Sequence, residues 1–215
     1  MIRKTKSRVA LLFLAVSMPI AFVALRADAQ DKYAEISPPQ PVSSNDKVEV
    51  IEVFSYGCIH CAHFQPYVDA YLKRLDPKKV DFLYLPATFR PDFALLARGF
   101  YAAQSLGLAK ATHQGVFNAI FEKGVQIRTF DDIVAMYQQL GVNRDDFLKA
   151  AQSFAVETKV RRANDLMRAY KIDGTPTIVV EGKYSVTGDT AGSVDKVFDV
   201  VDELVAKEWT AKHKK

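Results

Sequence analysis

The sequence predicts an α/β domain interrupted by a long helical insertion, and three observations carry that reading. Strand-like apolar runs fall at residues 48–54, 80–89, 178–180 and 184–186, towards the two ends of the chain. Between them, from residue 91 to residue 170, the apolar spacing is helical throughout, about eighty residues and well beyond an ordinary loop. The third observation is Cys58-Ile59-His60-Cys61, set between a strand and a helix and holding the only 2 cysteines of 215 residues.

Each element has a local reason. Residues 33–36 suggest a short strand, followed by an extended connector containing Pro38, Pro39 and Pro41. Residues 48–54 are apolar enough for a central strand. A helix over residues 59–75 follows from Phe64, Tyr67, Val68, Tyr71, Leu72 and Leu75 at 3- and 4-residue steps, and Pro66 inside it predicts a kink. Pro86 should end or bend the strand over 80–89. In the helical stretch, Thr129 and Asn143 are placed as N-caps and Gly141 as a stop, with a further helix over 156–170. The chain changes character at Gly174-Thr175-Pro176-Thr177, a turn into a β-branched strand. Residues 181–183 read as a hairpin turn, and a last helix is expected from Ser193, with Lys212, Lys214 and Lys215 at its C-terminal end.

The first residues read as an export signal. Arg3, Lys4, Lys6 and Arg8 precede an apolar run, and Ala27-Asp28-Ala29 is a cleavage signal, so the mature chain is expected to begin at Gln30. Cleavage removes five basic residues and Asp28, so that of 29 Lys+Arg and 25 Asp+Glu there remain 24 of each. The basic balance is thus a property of the signal and gives no reason to invoke nucleic acid or a membrane surface. An exported protein meets an oxidising compartment, yet this chain has no distributed cysteines to staple it together. The pair is reserved for chemistry.

Two thiols three residues apart at a helix start can close a small disulfide ring and exchange it with other thiols. Only a thiolate attacks a disulfide, and the helix N-terminus favours the thiolate. Haem attachment needs a histidine after the second cysteine, and residue 62 is Ala. A closed zinc site needs four ligands, and Cys58, Cys61 and His63 offer three without a second pair. No metal or cofactor is expected. His63 reads as a surface helix histidine, and His113 and His213 have no assigned role.

The run from Glu52 to Cys61, the helical block and Gly174-Thr175-Pro176-Thr177 before a strand together resemble the DsbA family of thiol:disulfide oxidoreductases. The resemblance covers nearly the whole mature chain. It implies a thioredoxin fold, discontinuous over 30–89 and 171–215, with the helical insertion at 90–170. It further implies a monomer in the periplasm that donates its Cys58–Cys61 disulfide to newly exported proteins. A DsbB-like quinone-linked membrane protein would reoxidise it.

By the same resemblance Cys58 is the attacking, substrate-linked sulfur and Cys61 the resolving one. His60 is placed to favour the Cys58 thiolate. Glu52 would be the buried acid exchanging protons with Cys61; Glu49 and Glu52 point to opposite sides of a strand, so one inward acid is expected. Pro176 is expected to be cis, with Thr175 as its neighbour on the substrate side. The motif departs from the family's commonest form at Ile59, where proline is usual. Two other classes stay open: a disulfide isomerase or reductase of the DsbC or DsbG kind, and a binding or chaperone module with incidental cysteines.

Overall fold

The seven residues Val48–Phe54 form strand β2, and every one of them is buried. In this computed structural model, which describes residues 32–214, β2 lies inside a five-stranded sheet. It pairs in parallel with β3 (Val80–Pro86) and antiparallel with β4 (Thr177–Val180). Beyond β4 come β5 (Tyr184–Val186) and β1 (Ala34–Glu35), giving the order β1-β5-β4-β2-β3. The parallel pair needs a crossover, which α1 (Ile59–Arg74) supplies. The export signal and its cleavage point after Ala29 lie outside the described residues.

Five helices separate β3 from β4: α2 (Pro91–Ser105), α3 (Ala109–Phe121), α4 (Phe130–Gln139), α5 (Arg144–Ala151) and α6 (Phe154–Tyr170). The sheet domain is thus interrupted by the helical insertion that the sequence predicts. Caps fix the boundaries. Thr129 and Asp132 form a reciprocal capping box, and the Asn143 side chain accepts from the N–H groups of Asp145 and Asp146. Ile51 and Val53 pack towards the insertion with Phe93, Leu96, Phe100 and Phe117. Val48 and Val50 pack the other way, against Phe64 and Val68 of α1 and Phe198 and Val201 of the last helix. The sheet is therefore covered on both faces.

That double cover changes one expectation. Glu49 and Glu52 do alternate, but both are buried, at 3% and 1% exposure. Glu49 is paired: its carboxylate accepts from the Ser43 N–H at 2.9 Å and from the Ser43 hydroxyl. Glu181, next to it on the hairpin turn, accepts the Glu49 N–H at 3.0 Å and binds Lys212 at 2.5 Å.

Other boundaries also differ from the sequence reading. Helix α1 runs unbroken through Pro66, which sits on its exposed side. Strand β3 ends at Pro86, short of residue 89. The chain after β5 is three pieces: α7 (Gly188–Ala191), a 3₁₀ turn (Val194–Lys196) and α8 (Val197–His213). Thr187 and Thr190 cap α7, and Gly192, at φ +87°, turns the chain through the left-handed region before α8 starts.

Candidate active site

The end of β2 delivers the chain into Ser55-Tyr56-Gly57 and then into α1, whose N-cap is Cys58. The loop is held by its own backbone. The Cys58 N–H donates to the Ser55 carbonyl at 3.0 Å, and the Gly57 N–H donates to the Ser55 hydroxyl at 3.1 Å. Gly57 is required by a close approach, since a Cβ there would lie 2.8 Å from the Phe93 ring. As N-cap, Cys58 has extended backbone angles and no side-chain cap bond, leaving its sulfur turned to the helix start.

The two cysteines, both free thiols, have opposite surroundings. Cys58 is half-buried and Cys61, one turn into α1, is fully buried. Hydrogen bonding from the Cys61 thiol is the largest cause that pulls the Cys58 thiol from 9.0 down to about 5, against the opposing effect of burial. The Thr175 side chain and the backbone N–H groups of Cys61 and His60 add to it. Burial pushes the Cys61 thiol far up, and the neighbouring Cys58 sulfur adds to that.

His60 acts on that sulfur through its backbone; its ring is exposed and makes no hydrogen bond among the described residues. Thr175 comes from the far end of the chain, and its carbonyl lies 3.3 Å from Cys58 Sγ. The Thr175–Pro176 peptide bond is cis, and the Thr177 hydroxyl closes the turn by donating to the Gly174 carbonyl at 2.9 Å. A groove of about 860 Å³ runs beside this pair, lined among others by His60, His63, Phe64, Tyr67, Thr175 and Pro176. His63, read from sequence as a surface histidine, is exposed and also lines the groove.

Glu52 lies in the interior, in register with Tyr84 on β3 and Ile178 on β4. Its Oε2 has no hydrogen-bond partner among the described residues. Burial, and then the charge of Asp69, raise its carboxyl from 4.5 to about 8. Sequence reasoning left out His113, which is buried and bonded to the Tyr56 hydroxyl at 2.8 Å and to Gln65 at 3.0 Å. A lone histidine on a helix gives no local signal of such partners. No group of three or more His, Cys, Asp or Glu placed to hold a metal occurs among the described residues.

A sheet of this order, a Cys-x-x-Cys pair opening the first long helix and a cis-proline turn beside it define a thioredoxin-like disulfide oxidoreductase. The family model for the DSBA-like thioredoxin domain matches residues 49–199, and the chain belongs to the DsbA family. The thiol:disulfide interchange protein DsbA of Pseudomonas syringae pv. tomato is 36% identical over 180 residues, 84% of each chain. The crystal structure of Pseudomonas aeruginosa DsbA superimposes with a TM-score of 0.81 at 34% identity, covering 86% of this chain and 95% of that one. That of the oxidoreductase DsbA from Xylella fastidiosa gives 0.76 at 36% identity, over 82% and 94%. The chain is a thiol:disulfide interchange protein whose redox-active pair is Cys58 and Cys61.

Proposed function

We propose that the chain works as a dithiol oxidase of the periplasm, exported by its first 29 residues and active as a monomer on newly exported, reduced proteins. The observation that carries this reading is the opposition between the two sulfurs, Cys58 favoured as thiolate and Cys61 held as thiol. Stabilising a thiolate stabilises the reduced pair, so the disulfide form is a strong oxidant.

The reaction begins when a substrate thiolate attacks Cys58 Sγ. A substrate–Cys58 bond forms as the Cys58–Cys61 bond breaks, and the electron pair leaves on the Cys61 sulfur. Cys61 strongly prefers the protonated form, and Glu52, a carboxyl that holds its proton at neutral pH, supplies one. A second substrate thiolate then attacks the substrate sulfur of the mixed disulfide and releases Cys58 as its stabilised thiolate. The substrate leaves oxidised and the pair reduced. Thr175, cis-Pro176 and the groove beside them offer an extended chain its backbone and side-chain contacts. A DsbB-like quinone-linked membrane protein removes the two electrons and returns Glu52 its proton from Cys61.

The test is equilibration of the mature chain, from Gln30, with glutathione, together with stoichiometric oxidation of a reduced unfolded protein. A strongly oxidising pair that transfers its disulfide once per molecule is expected. A stable dimer that reshuffles disulfides without oxidising thiols would overturn the reading in favour of an isomerase.

A further inference from the structure

His113 stands on α3, in the helical insertion, yet both of its ring nitrogens bond to residues of the sheet domain. Nδ1 lies 2.8 Å from the Tyr56 hydroxyl, and Nε2 lies 3.0 Å from the Gln65 amide oxygen. The direction of both bonds follows from the far end of the chain of contacts. The Gln65 amide nitrogen donates to Asp69 Oδ1 at 3.0 Å. A carboxylate only accepts, so the amide oxygen of Gln65 is left to take the Nε2–H of His113. Nδ1 is then bare and accepts the Tyr56 hydroxyl. Burial lowers this imidazole from 6.5 to about 4, so at neutral pH the ring serves one bond as donor and the other as acceptor.

The two partners bracket the redox pair. Tyr56 stands two residues before Cys58, in the loop out of β2, and Gln65 stands one turn after Cys61 on α1. Between them runs the first turn of α1, where the N–H groups of Cys61 and Ala62 donate to the Cys58 carbonyl at 3.1 and 3.2 Å. Helix ends fray, and a side-chain cap is the usual remedy. Helices α4, α5 and α6 begin on such caps, from Thr129, Asn143 and Ser153. Helix α1 has none, because its N-cap position is taken by the redox sulfur. The imidazole is itself firmly held. It is buried, edge-on to Phe54 and Phe117 with ring centroids 5.2 and 5.3 Å away, and 4.7 Å from the Tyr84 ring.

We propose that His113 is a positioning residue of the disulfide exchange: a clamp from the insertion that grips Tyr56 and Gln65 and holds the uncapped start of α1 in the geometry that favours the Cys58 thiolate. The proposal rests on the reading of Cys58 as the sulfur whose thiolate sets the oxidising strength of the pair. The imidazole bonds to neither sulfur; its effect passes through the loop before Cys58 and the helix after Cys61. With the clamp open, the first turn of α1 is free to loosen. The backbone N–H groups of His60 and Cys61 then turn from the sulfur they favour, Cys58 holds its proton more tightly and the disulfide becomes a weaker oxidant. The insertion thereby takes part in the redox chemistry of a site built on the sheet domain.

The experiment reads two quantities on His113→Leu, Tyr56→Phe, the two combined, and Leu204→Ala. One is the titration midpoint of Cys58, from thiolate absorbance of the reduced protein; the other is the equilibrium of the Cys58–Cys61 pair with glutathione. Leu204 is buried on α8, in the part of the core that does not include Tyr56, and controls for a general loss of stability. His113→Leu should raise the Cys58 midpoint by about half a pH unit or more and weaken the pair as an oxidant by about threefold or more. Tyr56→Phe, which deletes one oxygen and keeps the core filled, should move both the same way by less, and it carries the test if His113→Leu does not fold. Added to His113→Leu it should move neither further, since its hydroxyl acts through the imidazole. Leu204→Ala should lower the denaturant midpoint and leave both quantities in place. Unmoved Cys58 midpoints in His113→Leu and Tyr56→Phe overturn the proposal. So does an equal shift in Leu204→Ala, or a Tyr56→Phe effect that is the same with and without His113. A Cys58 midpoint that moves while the glutathione equilibrium stays shows instead that the premise about the thiolate has failed, and takes the proposal with it.

Discussion

Cys58 owes its low affinity for a proton first to the Cys61 thiol, then to the Thr175 side chain and to the backbone N–H groups of Cys61 and His60. Replacing His60 by Ala removes an exposed ring and leaves its N–H in place, so the Cys58 midpoint should shift by less than about one unit. The thiolate absorbance of the reduced protein, followed from acid to neutral pH, measures it. In Cys58→Ala, Cys61 should alkylate slowly through neutral pH, because it is fully buried and its thiol is pushed far up. Mass spectrometry after timed iodoacetamide treatment reads that rate, and fast alkylation would reverse the assigned roles. Cys61→Ala should accumulate mixed disulfides through Cys58, since exchange passes through that intermediate.

The loop between β2 and α1 depends on an element that arrives much later in the chain. Phe93, in the first helix of the insertion, occupies the space where a side chain at residue 57 would begin. Gly57→Ala should destabilise the fold by about 1–3 kcal/mol through this overpacking. Adding Phe93→Leu should recover part of the loss, as denaturant midpoints of the two variants would show. The sequence made several elements legible because their causes are local. Thr129 and Asn143 cap helices with side chains three residues or fewer from the N–H groups they serve, and residues 48–54 are apolar along their length. What stayed hidden depends on contacts between distant segments. The burial of Glu49 follows from helices covering both faces of the sheet, and the partners of His113 come from a loop and a helix about fifty residues earlier. The short helix α7 was missed because four residues carry too little periodicity to read.

Across the whole molecule, two buried groups set opposing dependences of stability on pH. Glu52 ionises at about 8 in the fold and at 4.5 when free, so the folded state binds more protons between those values and stability falls as pH rises through them. His113 is lowered from 6.5 to about 4, so the unfolded state binds more protons there and stability falls as pH drops below 6.5. Between 4.5 and 6.5 the two slopes oppose each other, and above 6.5 only that of Glu52 remains. Glu52→Gln should therefore stabilise the protein by about 3 kcal/mol at pH 7 and by almost nothing at pH 4. Urea unfolding at the two pH values tests this. An equal gain at both would mean that Gln simply packs better.

The contact between Cys58 and Thr175 joins residues 117 positions apart in sequence. A growing chain therefore carries its cysteines long before it carries the turn that sits beside them. Until β4 docks against β2, Cys58 lacks both the carbonyl and the side chain of Thr175. The sulfur of an unfinished molecule therefore has one fewer donor favouring its thiolate, and its surroundings are complete only when the last strands are in place.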